Sequence, residues 1–196
     1  MDTRIVPAGH DRVPELATLL GRAFADDPMI SFPFPAGDPY EQARRMFEIV
    51  DLRFAEARLV WEVPPASGVA MWVGPDDFDR YLRIENETRD EVESLTDDGG
   101  ARYRAFWEWI EAALPDERQW SLDHLAVDER ERGRGIGSAL VRFGLDRAAR
   151  DGVIATLETA RPENVPICEH LGFRTYLETD APGGGPHMWF MRADPA

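Results

Sequence analysis

The feature that most restricts the fold of this chain is the run Arg-Gly-Arg-Gly-Ile-Gly at residues 132–137. Before it, residues 120–127 predict a strand, and after it, residues 135–151 carry apolar side chains at helical spacing. Gly152 ends this helix, and residues 153–158 predict the next strand. Three alternating glycines therefore lie at the strand-to-helix junction of a β-loop-α-β unit.

This junction has the chemistry of an anion-binding loop. Glycines lack a Cβ, so the backbone can approach a ligand closely and its free N–H groups point outward. The helix dipole adds a partial positive charge, typically worth about 0.3–1 kcal/mol toward an anion. Arg130, Arg132 and Arg134 add three cations to an otherwise acidic chain. The loop predicts a pyrophosphate cradle; the alternative is a glycine-rich helix start that serves only chain geometry.

A dinucleotide-binding fingerprint fits this loop less well. Counted from Gly133, the third glycine of the pattern G-x-G-x-x-G falls on Ser138. Glu158 lies about 20 residues farther on, where a ribose-binding acid would stand. However, only about 60 residues follow Gly137, too few for the remaining strands of a doubly wound sheet. A nucleotide-binding oxidoreductase therefore has little support.

The composition excludes several classes of function. The net charge of −15 would repel a phosphate backbone, so we expect no nucleic-acid partner. All 22 basic residues are Arg, which rules out a P-loop and a lysine nucleophile. The single cysteine, Cys168, cannot form an internal disulfide, and no Cys/His cluster has zinc-ligand spacing, so we expect no metal.

The remaining pattern predicts one domain over residues 1–196, with a helical insertion at 74–118. No stretch approaches the roughly 18 apolar residues of a membrane span, and the N-terminus lacks an apolar signal, so we expect a cytoplasmic protein without a membrane partner. The other predicted elements are helices at 11–25, 40–57, 78–95, 102–114 and 165–170, strands at 4–6, 59–63, 69–73, 173–178 and 187–192, and an extended connection at 26–39.

The predicted insertion carries more than half of the net charge. Residues 74–118 contain 14 acidic residues and 6 arginines, a local balance of −8. One interpretation is that these acidic residues form the solvent-exposed faces of two helices. The other is an acidic lid over a site for a cationic substrate.

Several landmarks of the last third resemble the GCN5-related N-acetyltransferase (GNAT) superfamily. The glycine loop matches its pattern Arg/Gln-x-x-Gly-x-Gly/Ala, and the resemblance extends over residues 122–173. It includes Leu-Ala-Val-Asp at 125–128, Asn164, and Leu-Gly-Phe at 171–173. The resemblance implies an α/β fold with a mixed, centrally splayed β-sheet flanked by helices. The insertion would then lie between the third and fourth strands.

The same resemblance implies acetyl-CoA as the acyl donor, lying in the split of the sheet. Residues 120–173 would form the acetyl-CoA-binding core. The strand backbone would contact the pantetheine and thioester, the glycine loop would hold the pyrophosphate, and an asparagine would bond the pantetheine arm. The implied cofactor-binding residues are Leu125, Ala126, Val127, Arg132, Gly133, Arg134, Gly135, Ile136, Gly137, Ser138 and Asn164.

Acyl transfer to an amine also needs a base, and family members commonly place one on the strand before the glycine loop. Asp123 and His124 are the ionisable residues there. As neighbours on a strand they are expected on opposite faces, and Asp123 is favoured because it shares parity with Leu125. Glu158, at the end of the next strand, is a third candidate. The alternatives are a capped structural aspartate and a core histidine.

Cys168 stands where the family often has a tyrosine that protonates the CoA thiolate. A thiol with an ordinary pKa near ~8.5 could donate a proton; the alternative is that Cys168 is only a small buried apolar side chain.

Four tryptophans could form the aromatic walls of an acceptor pocket, although such residues more often belong to the core. They are Trp61, Trp72, Trp107 and Trp109.

These observations predict an N-acetyltransferase that moves an acetyl group from acetyl-CoA to a primary amine by direct attack in a ternary complex. The acidic insertion favours a small cationic molecule as the amine, and residues 74–118 are expected to cover the acceptor side. The alternative is a non-catalytic acyl-CoA-binding regulatory or interaction protein, suggested by Cys168. The sequence leaves open whether the protein forms a homodimer.

Overall fold

The computed structural model describes residues 3–195, which form a seven-stranded sheet with helices on both faces. The strands are β1 (Val6–Pro7), β2 (Val60–Val63), β3 (Gly68–Val73), β4 (Gln119–Val127), β5 (Ile154–Thr159), β6 (Arg174–Asp180) and β7 (His187–Ala193). The α-helices are α1 (Val13–Phe24), α2 (Pro28–Ser31), α3 (Pro39–Glu56), α4 (Phe78–Glu93), α5 (Ala101–Ala113), α6 (Ile136–Asp151) and α7 (Asn164–His170).

The sheet is mixed and opens at its centre, as the resemblance implied. Its order is β1-β2-β3-β4-β5-β7-β6, and only β4 and β5 run parallel. Their pairing ends at Leu122 and Leu157, although β4 continues to Val127 and β5 to Thr159. The two strands therefore diverge, and the next residues along them, Asp123 and Glu158, flank the start of the split.

A β-bulge in β4 changes which face each side chain occupies. Met71 of β3 pairs with His124, but the next residue, Trp72, pairs with Leu122, so Asp123 has no partner on β3. Such an extra residue breaks the alternation of a strand. The side chains of Asp123 and His124 contact each other, so the expectation that they lie on opposite faces is wrong. Leu125 packs with the opposite core, so the parity argument for Asp123 is also wrong.

Two cores cover the two faces of the sheet. On one face α1 and α3 pack over β3 and β4, and on the other face α6 packs over the same strands. α4 and α5, which connect β3 to β4, pack against the first core and against β7. The predicted positions of the long elements are confirmed to within a few residues. None of the helices in the described part of the chain is long and apolar enough to cross a membrane.

The extended connection predicted at 26–39 contains a short helix instead. Asp27 caps α2 by accepting a hydrogen bond from the Met29 backbone N–H at 2.9 Å, and Pro28 occupies the first helical position. Aspartate at the cap and proline at the first position are both favoured at helix starts. The prolines of this segment suggested an extended chain, but Asp27 and Pro28 are in fact a helix-start signal.

Gly144 of α6 lies against the fully buried indole ring of Trp72, which donates a hydrogen bond to the Leu140 carbonyl at 3.1 Å. An added Cβ would overlap the ring, so Gly144→Ala is expected to lower the free energy of unfolding by about 2 kcal/mol. Gly137→Ala in the same helix is the control, because its Cβ would meet Val127 at an ordinary 3.5 Å. Denaturant unfolding without ligand measures both; equal stabilities would contradict the prediction.

Candidate active site

A cavity of about 580 Å³ occupies the split between β4 and β5. Its lining comes partly from α1, α3, α4 and α5 and partly from the glycine loop and α7. The side chains that matter for its chemistry are Tyr81, Glu85, Tyr103, Trp107, Asp123, His124, Glu158 and Cys168. Most of the remaining lining is apolar, so charged groups in this cavity are poorly solvated.

The glycine loop has the geometry of an anion cradle. Gly133 and Gly135 adopt left-handed backbone conformations, with φ of +77° and +81°. Apart from their own chain neighbours, no heavy atom of residues 3–195 lies within 4 Å of where their Cβ atoms would be. No side chain caps the N-terminus of α6, whose first N–H groups have no partner within the helix. Arg132 also lines the cavity. The loop thus offers open space, free donors and a cation, which fit a pyrophosphate.

Most of the implied cofactor-binding residues lie along this cavity. They are Leu125, Val127, Arg132, Gly133, Gly135, Ile136, Gly137, Ser138 and Asn164. Asn164 also donates to the Thr159 hydroxyl at 3.1 Å. Two do not line it: Ala126 is buried in the core between the sheet and helices α1 and α3, and Arg134 pairs with Glu131 at 2.7 Å. Their roles stay predictions.

Asp123 belongs to a chain of three ionisable side chains that reaches into the core. His124 donates from Nδ1 to Asp123 Oδ1 at 2.8 Å, and its Nε2 lies 3.3 Å from Asp51 Oδ2 on α3. The Nε2 contact is an ion pair rather than an aligned hydrogen bond. Burial alone would lower the pKa of His124, but Asp51 and the hydrogen bond to Asp123 raise it to about 10. His124 is therefore an imidazolium at neutral pH.

The second oxygen of Asp123 is occupied as well. Tyr81 of α4 donates its hydroxyl to Asp123 Oδ2 at 3.2 Å, and its ring stacks on Phe54. Burial, with Glu85 and Asp123 close by, raises the pKa of Tyr81 well above its ordinary value, so the hydroxyl keeps its proton. Asp123 thus has a partner on each oxygen and faces the cavity in a fixed orientation.

Glu158 differs from Asp123 because it has no partner. Its Oε2 atom is buried without a hydrogen bond to any group in residues 3–195. Burial, together with the nearby Asp123 carboxylate, raises the pKa of Glu158 to about 8. A carboxyl group poised near neutral pH in a cavity is suited to take up a proton.

The remaining candidates from the sequence have different positions. Cys168 lines the cavity, and burial raises the pKa of its thiol to about 11. Of the four tryptophans, Trp107 lines the cavity. Trp72 is core, Trp61 packs on Phe143, and Trp109 packs on Phe190, so the hypothesis of a four-tryptophan wall is wrong.

Sequence reasoning missed three polar residues of the site: Asp51, Tyr81 and Glu85. Each stands on the inward face of a helix. Asp51 shares the buried face of α3 with Phe47 and Phe54, and Glu85 lies one turn after Tyr81 on α4. An acidic residue within an apolar stripe is the signal that could have found Asp51 and Glu85.

Comparison with known proteins identifies relatives of this chain in sequence and in fold. The sequence pattern of the acetyltransferase (GNAT) family matches residues 78–173, from the start of α4 to the residue before β6. An uncharacterised N-acetyltransferase of Schizosaccharomyces pombe is 26% identical over 170 residues, which cover 80% of this chain and 68% of the relative.

Solved structures agree with this similarity. The crystal structure of "histone acetyltransferase HPA2 and related acetyltransferase" from Corynebacterium glutamicum is 25% identical and covers 100% of this chain and 98% of its own, with a TM-score of 0.72. Arylalkylamine N-acetyltransferase 2 from Aedes aegypti shares the fold at 18% identity, with full coverage of both chains and a TM-score of 0.61.

Proposed function

Because this chain belongs to the GNAT superfamily and is an acetyltransferase that uses acetyl-CoA, we propose that it acetylates the primary amine of a small cationic molecule by direct attack in a ternary complex. The observation that carries the proposal is Glu158, an unpartnered carboxyl group beside Asp123 in the apolar cavity. An ammonium group is the ligand that two adjacent carboxyl groups would bind.

The residues of the cavity divide into a donor side and an acceptor side. On the donor side, the N–H groups at the start of α6 and Arg132 would hold the pyrophosphate, and Asn164 would bond the pantetheine arm. On the acceptor side, α4 and α5 supply Tyr81, Glu85 and Trp107, which supports the hypothesis that residues 74–118 cover the acceptor. The two sides meet where β4 and β5 separate.

The proton would move to Glu158. An ammonium with a pKa near ~10.4 would have to lose its proton before the nitrogen can attack, and transfer to an ordinary glutamate would cost about 8 kcal/mol. Transfer to Glu158, with its pKa of about 8, costs about 3 kcal/mol. Asp123, whose two oxygens accept hydrogen bonds from His124 and Tyr81, would orient the ammonium.

When bound, acetyl-CoA would supply the thioester carbonyl carbon for attack by the neutral amine. The C–N bond would form, the C–S bond would break with its electron pair on sulfur, and the proton that the nitrogen then loses would balance the one that the thiolate gains as free CoA. Cys168 is a weak donor toward that sulfur, because its thiol pKa of about 11 exceeds the ordinary thiol value near ~8.5. A proton transfer from Cys168 would be uphill by about 3 kcal/mol.

Cys168→Ala is therefore expected to lower kcat less than about fivefold. The measurement is the steady-state rate of CoA release with the best amine acceptor. A loss of more than about 50-fold, with the fold and acetyl-CoA affinity intact, would instead assign the thiol a direct part in proton transfer.

The first test of the proposed function is ligand binding followed by turnover. Acetyl-CoA and CoA at about 100 times their Kd should each stabilise the protein by about 2.7 kcal/mol, a rise in Tm of roughly 5–10 °C. NAD at the same concentration serves as the control and should give no shift.

Turnover separates the proposal from its alternative. A panel of primary amines is incubated with acetyl-CoA, and the acetylated product is identified by mass while free CoA is measured. Acetyl-amine formation supports the proposal. Binding of acetyl-CoA without transfer to any amine would overturn it and leave the non-catalytic acyl-CoA-binding protein as the function.

A further inference from the structure

Glu85 occupies an unusual place on α4. It lies on the inward face of the helix with Tyr81, Thr88 and Val92, where an apolar residue would be expected, and it lines the cavity. Tyr81, one turn earlier on the same helix, donates to Asp123, and Glu85 lines the same cavity. It is a second acidic position on the acceptor side, separate from the pair formed by Asp123 and Glu158.

The other acidic groups along the cavity have basic partners, apart from Glu158. Asp27 pairs with Arg161 at 2.8 Å, Asp123 with His124 at 2.8 Å, and Glu131 with Arg134 at 2.7 Å. In the part of the chain that the structure describes, no basic nitrogen lies within 4.0 Å of the carboxyl groups of Glu85 or Glu158. Among residues 3–195, the carboxyl groups of Glu85 and Glu158 therefore lack a close ion-pair partner.

The surroundings of Glu85 suit a cation. Tyr103 and Trp107, one turn apart on α5, line the same part of the cavity and present aromatic surfaces. Burial raises the pKa of Glu85 to about 8; Asp123 and Glu111 add to this rise, and Arg89 opposes it. A bound cation would favour the ionised carboxylate and remove this penalty.

We propose that Glu85 binds a second cationic group of the acceptor, which makes the substrate an aliphatic diamine. The proposal rests on the proposed function: one ammonium is acetylated between Asp123 and Glu158, and the other pairs with Glu85. The aromatic rings between these positions would contact the methylene chain.

The test compares diamines with monoamines of equal chain length. Diaminopropane, diaminobutane, diaminopentane and diaminohexane are each measured beside the matching n-alkylamine, and kcat/KM is determined for both. We expect the best diamine to exceed its monoamine by about 10- to 100-fold, the usual strength of a charge-assisted contact in a poorly solvated site. Glu85→Gln should lower this ratio at least about tenfold.

Glu87→Gln is the matched control, since Glu87 lies on the exposed face of the same helix and should keep the wild-type ratio. Binding provides a second readout that does not depend on turnover. Calorimetry at pH 7 in two buffers should show that diaminobutane releases more protons from the wild type than from Glu85→Gln, because Glu85 ionises when the second ammonium binds.

The outcomes distinguish the two proposals. Equal kcat/KM for diamines and monoamines, or a ratio that Glu85→Gln leaves unchanged, overturns the diamine proposal while the proposed function stands. Acetylation of other amines but of no alkylamine or diamine has the same meaning. Failure to acetylate any amine overturns the proposed function itself.

Discussion

Glu158→Gln is expected to lower kcat for amine acetylation by about 10²–10³-fold, within the usual range for loss of a general base. Glutamine keeps the size of the side chain but cannot accept the proton. The measurement is the rate of acetyl-amine formation at saturating acetyl-CoA. Glu169→Gln on the exposed side of α7 is the control and should retain the wild-type rate.

The pH dependence makes this prediction specific. Glu158 has a pKa of about 8 and acts as a base only when ionised, so wild-type kcat/KM should rise with pH and level off above about pH 8. The rising limb assigned to Glu158 should be absent in the glutamine variant. A variant that keeps both the rate and the limb would transfer the role of base to Asp123 or to water.

The same substitution should stabilise the protein. The pKa of Glu158 is raised in the folded state, so its contribution to stability is full below pH 4.5 and is lost as the pH rises toward 8. Glu158→Gln removes this loss. Its Tm should therefore match the wild-type Tm at pH 5 and exceed it at pH 8, where the unfolding free energies should differ by a few kcal/mol. A lower Tm at pH 8 would contradict the assigned pKa.

Asp51→Asn is expected to lower the free energy of unfolding at pH 7 by about 3–5 kcal/mol, because it removes the partner of a buried charge. The side chains of Asp51 and His124 are 1% and 3% exposed, so neither water nor a rearranged surface group can replace the lost carboxylate. Denaturant unfolding measures the change. A loss below about 1 kcal/mol would mean that His124 is neutral in the native protein.

The sign of the pH effect follows from the pKa of His124, which is raised to about 10 in the folded state. Its stabilising contribution is full below pH 6.5 and is lost as the pH rises through 10, so wild-type stability should fall over that interval. Asp51→Asn should flatten this slope. It should also lower kcat, because Asp123 loses the imidazolium that holds one of its oxygens.

Asp38→Asn is a matched control for the aspartate substitution. Asp38 caps the same helix, α3, by accepting the Glu41 backbone N–H at 2.9 Å on the exposed surface. Asparagine is an equally good cap, so this variant should stay within about 0.5 kcal/mol of the wild type. The contrast separates burial of the charge from a general effect on α3.

Local patterns were sufficient for the glycine loop and most secondary structure. The run at residues 132–137 predicts its own conformation, because alternating glycines between a strand and a helix allow positive φ values. They also leave the start of the helix without a side-chain cap. Hydrophobic periodicity likewise placed the long helices and the strands around the split. These signals involve residues close together in the chain, so the sequence alone indicated the elements around the split and the anion-binding loop. The resemblance carried by that loop implied the fold class and the acetyl-CoA donor.

The residues on the acceptor side of the cavity are brought together only by the tertiary structure. The bulge at Asp123 depends on how β4 pairs with β3, and no local pattern predicts that register. Asp51, Tyr81 and Glu85 come from two helices distant in sequence, and only the packing of α3 and α4 against the sheet brings them to the cavity. The sequence therefore indicated the acetyl-CoA donor, whereas burial and charge pairing, which exist only in the packed molecule, decided which carboxyl group of the cavity lacks a partner.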